Sequence, residues 1–239
     1  MPLLRTLLAV FFLVLYVPAA ALVAFPWTLV TGNADFLYRV GMLGARTAVR
    51  LAGIRIQVEG RDQLDPALTY IFMANHVSNV DPPVLIPSLP KRTSVLVKKE
   101  LFRIPVLGRA MRLASLVPVD RSNRDAAIAS MHEAAEVVRS GISMTIFPEG
   151  TRSYDGRLLP FKKGPFYLAM ESGAAIVPVT ILKTREIMPK GSLLIRAGTA
   201  RLVFHAPINS AEFEERDELM EVVRQRIESA LPAEAQSAV

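Results

Sequence analysis

The chain has 239 residues, of which 51% are hydrophobic, and its 28 lysines and arginines against 22 acidic residues give a formal net charge of +6. This composition excludes intrinsic disorder, because so many apolar side chains are enough to form a core. The absence of cysteine excludes a disulfide framework, a cysteine nucleophile, an iron–sulfur cluster and a thiolate zinc site.

The first predicted element is an uncharged apolar stretch, residues 6–34. A helix of this length would exceed the ~30 Å hydrocarbon core of a bilayer, although Pro18 and Pro26 would kink or break it. We therefore predict a membrane anchor over residues 1–45, either one kinked span or two short helices that re-enter one leaflet. A cleaved signal peptide, with Arg5 as its positive region, and a buried core helix are the alternatives.

Positive charge follows this stretch more than it precedes it. Arg39, Arg46 and Arg50 come after it, whereas only Arg5 and the amino terminus come before it. The positive-inside bias then places the rest of the chain in the cytoplasm. The sequence predicts a protein of the inner (cytoplasmic) membrane whose main domain faces the cytoplasm.

Strands and helices alternate through residues 46–232, which we expect to form one catalytic domain followed by a flexible tail over residues 233–239. The strand patterns lie at 53–60, 69–74, 94–97, 115–119, 143–147, 175–181, 193–195 and 201–204. The helix patterns lie at 122–140, at 164–171 and, with Met220, Val223 and Ile227 on one face, near the C-terminal end. This order predicts an α/β fold with its functional residues in loops at strand ends.

Positive charge is concentrated in residues 91–112, where seven lysines and arginines against Glu100 alone give 7 − 1 = +6. Apolar residues are interleaved with these charges. Such a segment suits an anionic membrane surface or a phosphorylated substrate, and an ordinary solvated face is the alternative. Nucleic acid is not an expected partner, because the sequence has no helix-turn-helix, RRM or zinc pattern.

One of the three histidines lies in a setting suited to catalysis. His76 follows a predicted buried strand and precedes Asp81 by five positions. A histidine held by a carboxylate through one ring nitrogen has a fixed tautomer and can act as a general base. A purely structural role is the alternative, because this spacing alone is weak evidence. His132 is expected on the helix surface and His205 at a strand edge.

A second polar motif, FPEGTRS at residues 147–153, also follows a predicted strand. Glu149 supplies a carboxylate, and Gly150 and Thr151 supply main-chain N–H groups. Arg152 supplies a guanidinium fork that suits an anion. A polar turn with a solvated Glu–Arg pair is the alternative for this motif taken alone.

A third motif, VPVDR at residues 117–121, ends a strand at Arg121. The three motifs NHVSNVD, VPVDR and FPEGTRS, in this order and followed by IVPVTI at 176–181, resemble the glycerolipid acyltransferases. The best-known members of that family are the 1-acylglycerol-3-phosphate O-acyltransferases. The resemblance extends over about residues 55–205, and its NHxxxxD and FPEGTRS motifs are highly specific in combination. It implies a mixed central sheet flanked by helices, with an N-terminal membrane-embedded helical segment.

The resemblance also implies residue roles. His76 would be the general base and Asp81 the residue that orients it. The substrate-binding residues would be Glu149, Gly150, Thr151, Arg152, Arg121 and Lys98. Lys98 is preferred to Lys99 as the phosphate-facing lysine of VKKELFRIP, and Arg121 matches less closely because Val-Pro precedes Asp-Arg where many relatives have Phe-Ile.

The implied reaction moves a fatty acyl group from acyl-CoA or acyl-ACP to the free sn-2 hydroxyl of 1-acylglycerol-3-phosphate, giving phosphatidic acid. Its partners would be lysophosphatidic acid, an acyl thioester, the membrane surface and, where acyl-ACP is the donor, acyl carrier protein. No metal or other cofactor is implied. The alternatives are another lysophospholipid or a lyso-aminolipid acceptor, thioester hydrolysis, and a membrane-surface binding module. The thioester is already activated, so Ser78 is not expected to form an acyl-enzyme.

Overall fold

A computed structural model describes residues 1–104, 107–120 and 124–236. The chain begins with two helices, α1 (Pro2–Thr31) and α2 (Asp35–Leu51), which pack against each other. Pro18 and Pro26 both lie inside α1, and neither breaks it. The expected domain boundary at residue 45 falls within α2, which leads directly into the first strand.

Within the described residues, α1 is the one helix long and apolar enough to cross a membrane, by length and composition. Only 11% of its most apolar 18-residue stretch is buried, so α1 is not a core helix of the domain. Its first turns attach to the domain, because Thr6 Oγ1 accepts a hydrogen bond from the Ile195 N–H at 2.8 Å and Ala9 is buried. Helix α1 is therefore a candidate membrane span anchored at its N-terminal end.

A seven-stranded mixed sheet forms the centre of the domain. Its strands are β1 (Ile54–Glu59), β2 (Tyr70–Ala74), β3 (Thr93–Lys98), β4 (Val117–Val119), β5 (Ser143–Ile146), β6 (Ala175–Leu182) and β7 (Gly198–Phe204). Their spatial order is β1-β7-β6-β2-β5-β3-β4. Strands β6, β2, β5, β3 and β4 are mutually parallel, whereas β7 is antiparallel to β6 and parallel to β1. The mixed α/β architecture that the resemblance implied is confirmed.

Helices cover both faces of the sheet. After α2 they are α3 (Asp81–Leu85), α4 (Leu107–Leu113), α5 (Arg124–Arg139), α6 (Gly164–Ser172), α7 (Thr184–Ile187) and α8 (Arg216–Glu228). All five residues of β2 are buried, because side chains alternate between a core formed with α5, α6 and α8 and a core formed with α2 and α3. Strand β2 is therefore fixed from both sides, and its C-terminal end is a rigid support for a site.

Most predicted strands and helices are confirmed to within a few residues. The predicted strand at 193–195 is wrong, because these residues form no ladder. Its apolar pattern has another cause: Ile195 packs beside α1, while Leu193 is 81% exposed. Ser122, the predicted start of α5, lies outside the described residues. In the expected tail, the Ala235 carbonyl accepts a hydrogen bond from the Leu158 N–H at 3.1 Å.

Candidate functional site

The candidate site lies at the carboxyl ends of two adjacent parallel strands. Strands β2 and β5 pair in register, with Met73 opposite Ile146. The loop after β2 carries His76, and the loop after β5 is the FPEGTRS motif, residues 147–153. Because parallel strands end at the same edge of the sheet, these loops meet in space although 70 residues separate them in sequence.

His76 and Asp81 form a hydrogen-bonded pair, with His76 Nδ1 2.8 Å from Asp81 Oδ2. The same oxygen accepts the main-chain N–H groups of Val77 at 2.8 Å and Ser78 at 2.7 Å. Asp81 opens α3 and is fully buried. Since Oδ2 already serves as acceptor to two N–H groups, Nδ1 is the donor to it. The lone pair of Nε2 is then available as a proton acceptor.

The plane of the imidazole is fixed by an aromatic ring. Phe147, the first residue of FPEGTRS, stacks on His76 with ring centroids 4.1 Å apart and an interplanar angle of 22°. The His76 side chain keeps 17% of its surface exposed. The histidine is thus held on one face and at Nδ1 while remaining accessible to a ligand. This role of Phe147 was not predicted from the sequence, although its position at the start of FPEGTRS was the available signal.

Glu149 is buried behind the histidine loop. Its Oε1 accepts the His76 N–H at 2.6 Å and its Oε2 accepts the Leu159 N–H at 2.9 Å. Burial raises the pKa of the Glu149 carboxyl to about 7, with the nearby Asp81 charge acting in the same direction and the two N–H groups opposing it. Each oxygen of the Glu149 carboxyl thus accepts a hydrogen bond from a main-chain N–H group.

The remainder of the FPEGTRS loop closes around His76. Gly150 has a left-handed φ of 70° and donates its N–H to the Phe147 carbonyl at 3.0 Å, which makes a tight turn. The Ser153 N–H donates to the His76 carbonyl at 2.8 Å. The main chain of His76 is therefore fixed at its nitrogen by Glu149 and at its oxygen by Ser153, and Thr151 is exposed beside them.

Arg152 presents a cation suited to an anionic ligand. Its Nη1 is buried and has no hydrogen-bond partner within the described part of the chain. Its main-chain carbonyl accepts a hydrogen bond from Lys190 Nζ at 2.7 Å, and the same ammonium lies 4.1 Å from the ring centroid of Tyr154. A buried guanidinium nitrogen without an acceptor favours binding of an external oxyanion. Lys190 carried no motif in the sequence, so it could not have been predicted.

The two lysines of VKKELFRIP differ in their contacts. Lys98 is 72% exposed, with its ammonium 3.7 Å from Glu100. Lys99 is 39% exposed and forms an ion pair with Asp120 of the VPVDR motif. Arg121, the residue of the VPVDR motif that was expected to bind phosphate, lies outside the described residues.

The remaining nucleophilic and basic candidates have structural partners. The Ser78 hydroxyl donates to the Met188 carbonyl at 2.6 Å, which opposes a role in attack. His132 is 63% exposed and pairs with Glu171, so its predicted surface position is confirmed. His205 Nε2 lies 2.9 Å from Thr180 Oγ1, as expected of a satisfied residue at a strand edge, and burial lowers the pKa of its imidazole.

An apolar cavity of about 500 Å³ opens between α1, α2 and the histidine loop. Asn79 and Val80, immediately before Asp81, form part of its wall, and small and aliphatic side chains of both helices form most of the rest. Its volume is within the range of small-molecule sites. An apolar compartment therefore extends from the loop that carries His76 to the candidate membrane helix.

The model of the acyltransferase family matches residues 55–182, more than half of the chain. The chain belongs to the acyltransferase family. The matched residues include both the His76–Asp81 loop and FPEGTRS, so the family assignment from the motifs is confirmed.

Several curated relatives in this family are similar to the chain. It is 36% identical to a 1-acyl-sn-glycerol-3-phosphate acyltransferase of Cocos nucifera over 81% of this chain and 62% of that protein. It is 31% identical to the human 1-acyl-sn-glycerol-3-phosphate acyltransferase alpha over 66% of this chain and 56% of that protein. The chain thus spans about 45–66% of the length of the first curated relatives it matches.

A solved member of the family has a similar structure. The crystal structure of the 1-acyl-sn-glycerophosphate (LPA) acyltransferase PlsC from Thermotoga maritima matches with a TM-score of 0.80 and 25% identity. The match covers 95% of this chain and 94% of that chain. The shared fold therefore extends beyond the sheet to the N-terminal helices.

Proposed function

We propose that this protein transfers a fatty acyl group from an acyl thioester to the free sn-2 hydroxyl of 1-acylglycerol-3-phosphate, giving phosphatidic acid. The observation that carries the proposal is the His76–Asp81 pair, which fixes the tautomer of an accessible histidine. The names of the relatives supply the acceptor.

In the proposed reaction, His76 Nε2 takes the proton of the acceptor hydroxyl as its oxygen attacks the thioester carbonyl. A carbon–oxygen bond forms, the tetrahedral intermediate collapses, and the carbon–sulfur bond breaks. The thiol leaves with the proton returned from His76. Asp81 keeps Nδ1 protonated and stabilises the imidazolium that exists between the two proton transfers.

The acceptor phosphate is proposed to bind Arg152 and the main-chain N–H of Thr151, with Arg121 and Lys98 as further cationic contacts. Gly150 is proposed to shape the turn around the phosphate, because its own N–H is donated to the Phe147 carbonyl. Holding the phosphate places the hydroxyl at His76, which is catalysis by orientation. Glu149 is proposed to act indirectly, because both of its oxygens hold main chain. We assign it to positioning His76.

The apolar cavity between α1 and α2 is proposed to take an acyl chain, because it begins beside Asp81 and is lined by apolar side chains. Helix α1 is proposed to insert in the inner membrane with the domain on the cytoplasmic side. Acyl-CoA and acyl-ACP are both proposed donors, since either delivers the same thioester.

The test is release of free thiol by the purified full chain in neutral detergent, with acyl-CoA or acyl-ACP as donor and lysophosphatidic acid as acceptor. The protein has no cysteine, so a thiol reagent reports only the product. We expect release that requires acceptor, phosphatidic acid by mass spectrometry, and a loss of about 10²–10⁴-fold in His76→Ala. The matched control is His132→Ala, a surface histidine that should keep the full rate.

Other outcomes would redirect or reject the proposal. Thiol release without acceptor would identify a thioesterase. Silence with lysophosphatidic acid but turnover with another lysophospholipid or a lyso-aminolipid would change the acceptor. Equal rates for His76→Ala and His132→Ala would reject His76 as the base.

A further inference from the structure

A second concentration of positive charge lies away from the candidate active site. A cavity of about 390 Å³ opens between α2 and the segment that joins α3 to β3. Four cationic side chains line it, Arg39 and Arg46 from α2 and Lys91 and Arg92 from the start of the basic segment 91–112. Asp35 is the one acidic residue of the lining, so the cavity carries three positive charges in excess.

The cations of this cavity are incompletely neutralised. Arg92 Nη1 pairs with Asp35 at 3.0 Å, but its Nε is buried without a hydrogen-bond partner among the residues described. Arg46 donates to the Pro87 carbonyl at 2.8 Å, and Lys91 makes only long contacts of 3.4 Å. Like charges gathered in a concave site attract an anion, and guanidinium groups match the geometry of phosphate oxygens.

The cavity is separate from the site around His76. It lies where β3 begins, at Thr93, whereas the candidate active site lies at the carboxyl ends of the parallel strands. The six residues of β3 span roughly 20 Å. The cavity and the candidate active site therefore lie toward opposite ends of the parallel strands, and the residues that line the cavity do not include His76, Asp81 or Arg152.

The surroundings of the cavity point to a lipid as the source of the anion. The opposite side of α2 packs on α1, the candidate membrane span. At the same end of the helix pair, Trp27 is 55% exposed and its ring meets that of Phe36 edge-on at 5.9 Å. Exposed tryptophan beside cations is typical of the headgroup level of a bilayer.

We propose that this cavity binds the phosphate of an anionic membrane lipid headgroup at a second, non-catalytic site. The proposal does not depend on the reaction proposed above, because it concerns binding alone. It assigns part of the basic segment 91–112 to the membrane surface, whereas Lys98 and Lys99 of the same segment lie at the other end of β3.

The test uses the full chain in neutral detergent and counts bound lipids by native mass spectrometry. The probes are phosphatidylglycerol, phosphatidylcholine and inorganic phosphate. The cavity variant is Arg39→Gln with Lys91→Gln, which leaves the contacts of Arg46 and Arg92 in place. The matched control is Lys163→Gln with Arg226→Gln, two exposed cations on other surfaces with the same change in net charge. Equal thermal unfolding of both variants without lipid shows that they are folded.

We expect wild type and control to bind phosphatidylglycerol equally, and one binding event of the cavity variant to have an affinity about tenfold weaker. Phosphatidylcholine should bind wild type and control more weakly than phosphatidylglycerol, and the cavity variant should discriminate less between the two lipids. The candidate phosphate site at Arg152 is unchanged in both variants, so it contributes equally. Equal binding by cavity variant and wild type, or an equal loss in the control, would overturn the proposal. Displacement of phosphatidylglycerol by millimolar inorganic phosphate would overturn the lipid assignment.

Discussion

The loops at the centre of the sheet, after β2 and β5, and the segments at its edge, after β3 and β4, carry polar residues that are held in different ways. At the centre, Asp81 and Glu149 are buried, and five hydrogen bonds from main-chain N–H groups or the His76 ring meet their oxygens. At the edge, Lys98 is mostly exposed. Burial with several partners fixes geometry, whereas an exposed side chain keeps its rotamer freedom. The centre therefore has the fixed geometry that the proposed proton transfer requires, whereas the side chains at the edge can adapt to a ligand.

The largest effect is expected from breaking the central pair through Asp81→Asn. Asparagine can offer one oxygen to the three donors, but it removes the charge that would stabilise the imidazolium of the proposed reaction. It also leaves a buried amide nitrogen at the Oδ1 position, which has no partner in the described structure. The rate should fall by about 10²–10⁴-fold with little change in the acceptor KM. Steady-state kinetics would check this.

Thermal unfolding of Asp81→Asn provides the control. A rate loss in a variant that unfolds at a much lower temperature would report damage to the fold. A variant that keeps more than a tenth of the rate would show that the central loop does not depend on this carboxylate.

The effect of burial on Glu149 can be tested through the pH dependence of stability. Its folded-state pKa of about 7 lies above the ordinary value of 4.5, so between these values the folded protein binds more protons than the unfolded chain. Its contribution to stability is therefore present below pH 4.5 and is lost as the pH rises to 7, by roughly 3 kcal/mol. Glu149→Gln cannot titrate, so the variant should gain stability relative to wild type between pH 5 and pH 8.

The measurement is the difference in unfolding free energy between the two proteins at each pH. Taking the difference cancels the titration of every other group. Parallel curves for wild type and Glu149→Gln would show that the carboxyl titrates near its ordinary value and that burial does not govern this position.

Arg152 is intermediate between the buried residues of the centre and the exposed lysine of the edge, because one guanidinium nitrogen is buried and the residue is partly exposed. Arg152→Ala would remove the proposed charged hydrogen bond to the acceptor phosphate, worth about 1.5–3 kcal/mol. The acceptor KM should rise about 10- to 100-fold, while the donor KM stays nearly unchanged. Arg157→Ala, an exposed arginine 3.9 Å from Asp155, is the matched control. Equal rises in both KM values for Arg152→Ala would argue against phosphate binding there.

The same contrast explains what the sequence could predict. The pairing of His76 with Asp81 was predicted from the NHxxxxD motif together with the family resemblance. The pair is local in sequence, because Asp81 opens α3 five residues after His76 and accepts the N–H groups of Val77 and Ser78 at the same oxygen. The alternation of strands and helices likewise predicted the sheet. These features depend on local spacing and on burial, and both leave a pattern in sequence.

Contacts between distant segments could not be predicted in the same way. The Leu159 N–H meets Glu149, and Lys190 reaches the Arg152 carbonyl, without any motif at either donor. The wrongly predicted strand at 193–195 has a similar origin at Ile195, because contact with α1 and contact with a neighbouring strand both favour an apolar residue. Only the tertiary structure separates these causes.

The smallest effects are expected at the edge, and they distinguish two adjacent lysines. Lys98 is 72% exposed, so Lys98→Ala should raise the acceptor KM less than about fivefold, the range of an exposed charge contact. Lys99 forms an ion pair with Asp120, so Lys99→Ala would remove the ion-pair partner of that carboxylate. Asp120 directly precedes Arg121, a proposed phosphate contact. Kinetics of both variants over a range of salt would compare them, since screening weakens exposed contacts. A larger rise in acceptor KM for Lys99→Ala that does not depend on salt would assign the proposed phosphate contact to Lys99 instead of Lys98. It would also show that fixed side-chain geometry is not confined to the centre of the sheet.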